Sequence, residues 1–229
     1  LDSRVDDNHV QGVLNIRTGA YTKWHEAGLK NIFHGQMNPM RNDIALCCWE
    51  CVPWTDSKGV VHDELIDWFK KHPDEPYPRL QLCEPGKLTM IPTQLTKAAT
   101  HERWDEQGEG FYWCSRGVYY HDLASGRQTK ISPVGTHAFL STDRRYVVAD
   151  SPVGLWWRGC GWQVYFHNRT TDRGVCLFTR RPPMCTKKAE SRLHPDPHPQ
   201  FVCGDRYLVS TFNGADGHMN LMVTPVTGL

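Results

Sequence analysis

An internal repeat constrains this chain more than any other feature of its sequence. One unit reads as a strand, a short turn and a second strand, and its last copy stops at the turn. The copies are VLNIRTGAYTKW at 13–24, RLQLCEPGKLTMI at 79–91, VYYHDLASGRQTKI at 118–131, VYFHNRTTDRGVCL at 164–177 and MNLMVTPVTGL at 219–229. Turn pairs such as Thr18-Gly19 and Pro85-Gly86 provide the positive φ that tight hairpins require. The pattern predicts a series of antiparallel hairpins.

A second repeated unit begins with a histidine. Its copies start at His34, His101, His137 and His198, and each histidine is followed three positions later by a bulky apolar residue. A polar turn and a strongly β-forming segment come next. The two units alternate along the chain. Together they predict four-stranded antiparallel blades in which the histidine unit supplies the first two strands.

This alternation predicts an all-β propeller, of which the chain supplies about four blades. We expect a half-blade at 1–33, formed by the last two strands of its blade, full blades at about 34–95, 96–132 and 133–182, and a partial blade at 194–229. Residues 55–78 read as an insertion, in which HDELIDWFKK has the pattern of a short amphipathic helix.

The partial blades bear on how the ring closes. An open sheet edge invites aggregation, so we expect a preceding segment or a second chain to supply the remaining blades. The alternative is a small ring of four or five blades that closes within this chain.

Composition excludes some partners. The formal net charge is +1, which gives no strong attraction to nucleic acid or to an anionic membrane. No apolar stretch approaches the ~20 residues of a membrane span. The nine tryptophans suit either blade cores or sugar-binding faces. The scattered cysteines read as buried free thiols, and Cys48-x-x-Cys51 is only a weak zinc signal because it has no second pair.

The leading histidines are the candidate site. Propellers place the starts of their innermost strands around the axis, so four equivalent imidazoles are expected to converge there. Imidazole is a common metal ligand and can act as a general base near neutral pH. His194, in the proline-rich segment HPDPHPQ, adds a further candidate ligand beside His198. The alternatives are histidines that cap their blades by bonding to backbone, and a rigid connector at 194–200.

A cationic segment precedes His34. It contains Arg17, Tyr21 and His25, and it could meet an anionic substrate at the mouth of the channel. The alternative is a solvated strand and loop.

Three motifs resemble those of the propeller polysaccharide lyases. They are THERW at 100–104, HGQMNP at 34–39 and HPDPHPQF at 194–201, and they resemble motifs of the oligogalacturonate lyases and of the propeller ulvan lyases. The resemblance implies a seven-bladed propeller that cleaves uronate-containing polysaccharide by β-elimination with a divalent metal ion. It implies that His101 is a metal ligand, as the histidine of the Thr-His-Glu motif, and that His194 and His198 are ligands too. Here those last two histidines lie four apart and Gln200 follows them, a departure from the family spacing.

From this resemblance and the residue types we predict the following roles. The base is His34 or His25, the acid is Tyr21 and the carboxylate partner is Arg17. The metal ligands are His101, His137, His194 and His198, and the ion is manganese, calcium or zinc. An acidic oligosaccharide or polysaccharide is the expected substrate, and such a polymer implies a secreted or periplasmic enzyme.

Two other functions remain open. A noncatalytic propeller could serve as a scaffold or bind glycans, since one fold hosts many functions. A hydrolase would need paired carboxylates. The sequence favours this less, because its acidic residues are expected mostly in turns and in the insertion.

Overall fold

The structure is a computed structural model of the 229-residue chain. It describes all residues except 1, 6–7, 27–31, 50–53, 63–67, 69, 76–77, 97–98, 154–160, 181–195, 214–218 and 228. The chain divides into two compact units, residues 1–111 (unit 1) and 112–229 (unit 2).

The first half of the chain forms strands in the order predicted from the hairpin repeat. The strands are β1 (Asp2–Val5), β2 (Asn8–Leu14), β3 (Tyr21–Glu26), β4 (Ile32–Met37), β5 (Ala45–Trp49), β6 (Trp54–Thr55), β7 (Val61–His62), β8 (Leu80–Glu84), β9 (Lys87–Ile91), β10 (Thr100–Trp104) and β11 (Gly110–Cys114). The first sheet has the order β1-β2-β3 and the second has the order β4-β5-β8-β9. β6 and β7 form a separate two-stranded hairpin.

The second half continues the pattern. Its strands are β12 (Val118–Asp122), β13 (Gln128–Ser132), β14 (Ala138–Leu140), β15 (Tyr146–Val153), β16 (Gly161–Asn168), β17 (Arg173–Arg180), β18 (Gln200–Val202), β19 (Tyr207–Asn213) and β20 (Met219–Pro225). The sheets have the orders β10-β11-β12-β13, β14-β15-β16-β17 and β18-β19-β20. Antiparallel sheets of consecutive strands, four-stranded in the full copies, are propeller blades, and the predicted fold class is confirmed.

Two details differ from the sequence prediction. The first partial blade has three described strands where two were expected, because residues 2–5 pair with residues 8–11 in β1 and β2. The insertion contains a β-hairpin as well as helical residues. Of the predicted helix, Trp68, Lys70 and Lys71 are helical, and the His72 amide donates to the Trp68 carbonyl at 2.9 Å. Within the described residues, no helix is long and apolar enough to cross a membrane.

Apolar side chains of the alternating strands pack into the blade cores. In unit 2 one cluster contains Tyr112, Val118 and Val147, and another contains Val148, Phe166 and Phe201. Three of the four apolar residues that follow the leading histidines are buried, namely Trp104, Leu140 and Phe201, whereas Met37 is exposed. In these three blades the spacing from the histidine therefore identifies a strand that faces the core.

The cysteines behave mostly as the sequence indicated. Of the six described cysteines, all are free thiols, and Cys47, Cys48, Cys83 and Cys114 are buried. Burial raises the pKa of Cys83 to about 11. Cys176 and Cys203 are exposed. Cys51 lies outside the described residues, so the Cys-x-x-Cys pair stays a prediction.

Candidate functional site

The leading histidines share an unusual backbone conformation. His34, His101 and His198 have positive φ angles of 57°, 54° and 43°. A left-handed backbone costs a residue with a side chain about 1–3 kcal/mol and persists where the surroundings impose it. His137 does not share this conformation, and its amide instead donates to Asp150 Oδ1 at 2.8 Å. The equivalence of sequence positions thus reappears as a common backbone shape in three of the four blades.

Unit 2 brings two of the predicted ligands together. The rings of His137 and His198 have centroids 3.8 Å apart, at an interplanar angle of 32°. Asp150, fully buried within β15, holds both residues. It accepts from His137 Nδ1 at 3.0 Å and from the His198 amide at 2.9 Å. A carboxylate bonded to Nδ1 fixes the tautomer in which Nε2 is available to a ligand.

Asp196 completes this group. Its Oδ2 lies 3.8 Å from His137 Nε2 and 3.9 Å from His198 Nε2. These distances exceed a hydrogen bond. They approach the separation of about 3–3.5 Å between ligand atoms that bind one ion at about 2.1 Å. The loop of Asp196 is held by Thr211, whose Oγ1 donates to the Asp196 carbonyl and whose amide donates to the Pro197 carbonyl, both at 2.8 Å.

The electrostatics of Asp196 suit a cation. Burial raises the pKa of the Asp196 carboxyl to about 7, and the nearby charge of Asp150 also raises it. The electrostatic effect of His137 lowers this pKa but is smaller than the effect of burial. A buried carboxyl with this pKa ionises more readily when a positive ion is bound beside it.

The three side chains form a candidate metal centre. Ligand atoms of His137, Asp196 and His198 lie within 4.8 Å of one another. Two imidazoles and one carboxylate suit manganese, iron or zinc. Calcium prefers six to eight oxygens, so the donors fit it poorly. His194 lies outside the described residues. His101 is exposed on β10 in unit 1, and its predicted role as a ligand stays a prediction.

Unit 1 pairs another leading histidine with a buried carboxylate. His34 Nδ1 lies 3.2 Å from Glu102 Oε1, and Arg79 Nε lies 3.3 Å from Glu102 Oε2. The Glu102 side chain is 0% exposed, whereas that of His34 is 55% exposed. Burial raises the pKa of Glu102, but the bond from His34, the charge of Arg79 and a bond from Cys48 outweigh it and hold this pKa at about 2. Glu102 is therefore an anion at neutral pH.

The remaining predicted site residues lie along β3 and the turn before it. His25 is half-buried on β3 and pairs with Gln11 of β2. Tyr21 begins β3, opposite Leu14, and Arg17 lies in the exposed turn between β2 and β3. The Tyr21 ring packs over Gly12 of β2, and Gly12 lines the same cavity as Gly35, the residue after His34.

Arg17 and Tyr21 share the hairpin end of β3. Their roles as carboxylate partner and acid stay predictions. The cation that lies against Glu102, the partner of His34, is Arg79.

Sequence reasoning missed the acidic partners of the histidines. Glu102, Asp150 and Asp196 are buried, not placed in solvated turns as the sequence suggested for most acidic residues. Asp150 directly follows the apolar run YVVA, and Glu102 lies within a predicted strand. An acidic residue at a position that should be buried is the signal that could have identified both.

Comparison with known proteins indicates the fold. No protein-family model and no curated protein sequence matches the chain. An oligogalacturonate lyase in complex with manganese matches it structurally with a TM-score of 0.70 and 16% identity, over 96% of this chain and 55% of the lyase. The oligogalacturonate lyase of Vibrio parahaemolyticus gives a TM-score of 0.66 and 17% identity over the same shares.

Other propellers are similar as well. TolB, as assigned in Agrobacterium tumefaciens, matches with a TM-score of 0.56 and 11% identity, over 96% of this chain and 66% of its own. The chain spans about half the length of the oligogalacturonate lyases it matches. At these identities the likeness establishes the propeller fold alone.

Proposed function

We propose that this chain is part of a polysaccharide lyase that cleaves uronate-containing oligosaccharides or polysaccharides by metal-assisted β-elimination. One observation carries the proposal: His137, Asp196 and His198 converge, and the buried Asp150 holds the His137 ring and the His198 backbone. The structural likeness to a manganese-bound oligogalacturonate lyase supports it.

The chemistry suits such a centre. His137, Asp196 and His198 would hold the ion, which supplies a positive charge for the uronate carboxylate as negative charge develops on it. Asp150, by bonding to Nδ1 of His137, would leave Nε2 as the nitrogen that holds the ion. Manganese, iron and zinc fit these donors better than calcium.

The elimination needs a base and an acid besides. The base removes the proton on C5, the electron pair of that C–H bond forms the C4=C5 double bond, and the C4–O bond breaks. The leaving oxygen takes a proton from an acid or from water. His34 is our candidate base, because its ring is exposed and a buried carboxylate holds it. His25 is half-buried, which makes it the weaker candidate. Arg17 stays the candidate partner of the substrate carboxylate, and Arg79 pairs with Glu102 beside the candidate base.

The proposal also includes the size of the ring, the substrate and the location of the enzyme. We propose a seven-bladed ring, in which a preceding segment or a second chain supplies the other blades. Oligogalacturonate and ulvan are the candidate substrates, and such polymers imply secretion or a periplasmic location.

Two measurements test the proposal. The protein is loaded with Mn²⁺, Zn²⁺ or Ca²⁺ in turn, and bound metal is quantified by mass spectrometry. Turnover of oligogalacturonate and of ulvan is followed by the ultraviolet absorbance of the unsaturated uronate product. We expect Mn²⁺ or Zn²⁺ to bind at one equivalent, and His198→Ala to remove the ion and the activity. His72→Ala, in the exposed insertion, is the control.

Each outcome has a consequence. Full metal retention in His198→Ala would refute the metal centre. Glycan binding without unsaturated product, in a protein that holds its metal, would replace the lyase by the glycan-binding alternative.

A further inference from the structure

The contact between His34 and Glu102 determines where the imidazole proton sits. Glu102 accepts through Oε2 from Arg79 and lies against His34 Nδ1 through Oε1. A carboxylate held against a guanidinium is ionised and can only accept hydrogen bonds. The hydrogen between Glu102 and His34 therefore belongs to Nδ1. In the neutral ring, Nε2 is then the nitrogen that carries no proton.

Hydrogen bonds hold the backbone around His34 as well as its ring. The register of β4 against β5 is irregular between Phe33 and Gln36, where the left-handed His34 lies. Gln36 Nε2 donates to the Glu102 carbonyl at 2.7 Å, and Trp104 Nε1 donates back to the Gln36 carbonyl at 2.9 Å. These reciprocal bonds tie the strand of His34 to the strand of Glu102. A left-handed residue persists where its surroundings over-determine it, as they do here.

We infer that Glu102 is a positioning residue for His34: it holds the ring in the tautomer whose Nε2, on the edge away from Glu102, can accept a proton. The inference rests on the proposed function, in which His34 takes the C5 proton, and it adds the group that prepares the base. On transfer, the proton bonds to Nε2 and the C–H electron pair stays with the substrate as the new double bond. The resulting imidazolium then lies beside the Glu102 anion, which stabilises it.

A metal ion is the competing occupant of this group. His34, Cys48 and Glu102 offer ligand atoms within 4.8 Å of one another. The Arg79 guanidinium already places a positive charge 3.3 Å from the same carboxylate. A divalent cation would be repelled by that charge in a buried setting, so a hydrogen-bonded network is favoured.

The tautomer is measured directly on protein labelled with ¹⁵N-histidine. The His34 signals are identified by their loss in His34→Asn, and we expect a protonated Nδ1 and an unprotonated Nε2 at neutral pH. In Glu102→Gln the new amide can donate to Nδ1, so the opposite tautomer should appear. With it, kcat should fall by about 10–100-fold, as for other residues that orient a reacting group, while KM changes less than about twofold. Glu106→Gln, an exposed change in the turn after β10, should alter none of these.

A second variant covers a folding failure of Glu102→Gln. Glu102→Asp keeps the charge and withdraws it by one methylene, so it should retain the ion pair, weaken the hold on Nδ1 and give an intermediate kcat. An unchanged His34 tautomer in both variants would overturn the inference. A shift of the Nδ1 signal by one equivalent of Zn²⁺, abolished in Cys48→Ser, would also overturn it and indicate a metal site.

The two proposals fail in distinguishable ways, because the spectrum needs no turnover. A tautomer change in a protein that makes no unsaturated product would refute the lyase and keep the positioning role. An active protein whose Glu102→Gln variant keeps both tautomer and kcat would refute the positioning role and keep the lyase.

Discussion

Two leading histidines, one in each unit, have buried carboxylate partners, yet the surroundings give them different chemistry. His34 meets Glu102, which comes from a strand 68 residues later, and Arg79 lies on the other side of that carboxylate. His137 meets Asp150, only 13 residues away, and a second histidine and a second carboxylate lie beside it. A cation next to the carboxylate suits a histidine that transfers a proton, whereas additional imidazole and carboxylate groups suit the binding of a metal ion. Under the proposed function, the same position in the repeat therefore has two different roles.

The pKa values of Glu102 in unit 1 and of Asp196 in unit 2 make the same distinction. Burial raises the pKa of Glu102, but its donors outweigh burial and leave it at about 2. For Asp196 burial dominates and the pKa rises to about 7. Glu102 already accepts hydrogen bonds from protein groups, so it needs no metal ion to stabilise its charge. Asp196 is buried beside another acid, so a bound cation would stabilise its ionised form.

The largest expected effect separates the two histidines by function. His34→Ala removes the candidate base, so kcat should fall by about 10²–10⁴-fold, the usual contribution of a general base. Bound metal should stay at one equivalent, because none of the proposed ligands changes. Turnover and metal content are measured on the same preparation.

His72→Ala is the matched control for this change. His72 Nδ1 lies 3.1 Å from Glu75 Oε1, so it is also a histidine–glutamate pair, but both side chains are exposed. The control should keep full activity. Loss of metal in His34→Ala would erase the distinction between the two sites.

The next effect concerns stability at low pH. The pKa of Glu102 is held below its ordinary value of 4.5, at about 2, so the folded state favours the ionised form. The stabilisation is complete above about pH 4.5 and is lost as the pH falls through about 2. This shift in the pKa of Glu102 corresponds to a contribution of about 3 kcal/mol to the free energy of unfolding.

Urea unfolding of the wild type and of Glu102→Gln measures this contribution. The wild type should lose more free energy of unfolding than the variant between about pH 5 and about pH 2.5. Equal losses would mean that Glu102 is not the strongly paired carboxylate in unit 1.

A smaller effect tests how firmly Asp150 orients the metal ligands. Asp150→Asn removes the charge that accepts from His137 Nδ1 and from the His198 amide. Metal affinity should fall by about 10–100-fold, the usual cost of losing such a partner. Titration with Mn²⁺ or Zn²⁺ measures it. Asp122→Asn, a turn aspartate of the same unit that binds Ser125, should leave the affinity unchanged.

The repeat predicted the fold because local chemistry determines it. The turn glycines Gly19, Gly86 and Gly126 have φ angles of 73°, 76° and 67°, as the hairpin pattern requires. The leading histidines could also be aligned by their spacing from a core residue.

The acidic partners could not be predicted in the same way. Glu102 and His34 are 68 residues apart, and Asp150 and His198 are 48 apart. Such pairs depend on how strands and loops from different blades meet, which no local pattern encodes. The local sequence around Arg79 likewise does not indicate that it lies beside Glu102.

The smallest expected effect asks whether unit 1 binds metal at all. In Cys48→Ser the hydroxyl can replace the thiol as a donor to Glu102. Because the thiol contributes one hydrogen bond of about 1 kcal/mol or less, kcat should change by less than about fivefold and the metal content should stay the same. Cys114→Ser, a buried cysteine in unit 2, controls for the cost of a polar group in a blade core. A thiolate ligand would behave differently, since serine binds zinc poorly and a bound equivalent would disappear. Unchanged stoichiometry would therefore leave the histidines and carboxylate of unit 2 as the metal centre and Glu102 as a hydrogen-bonding partner of His34.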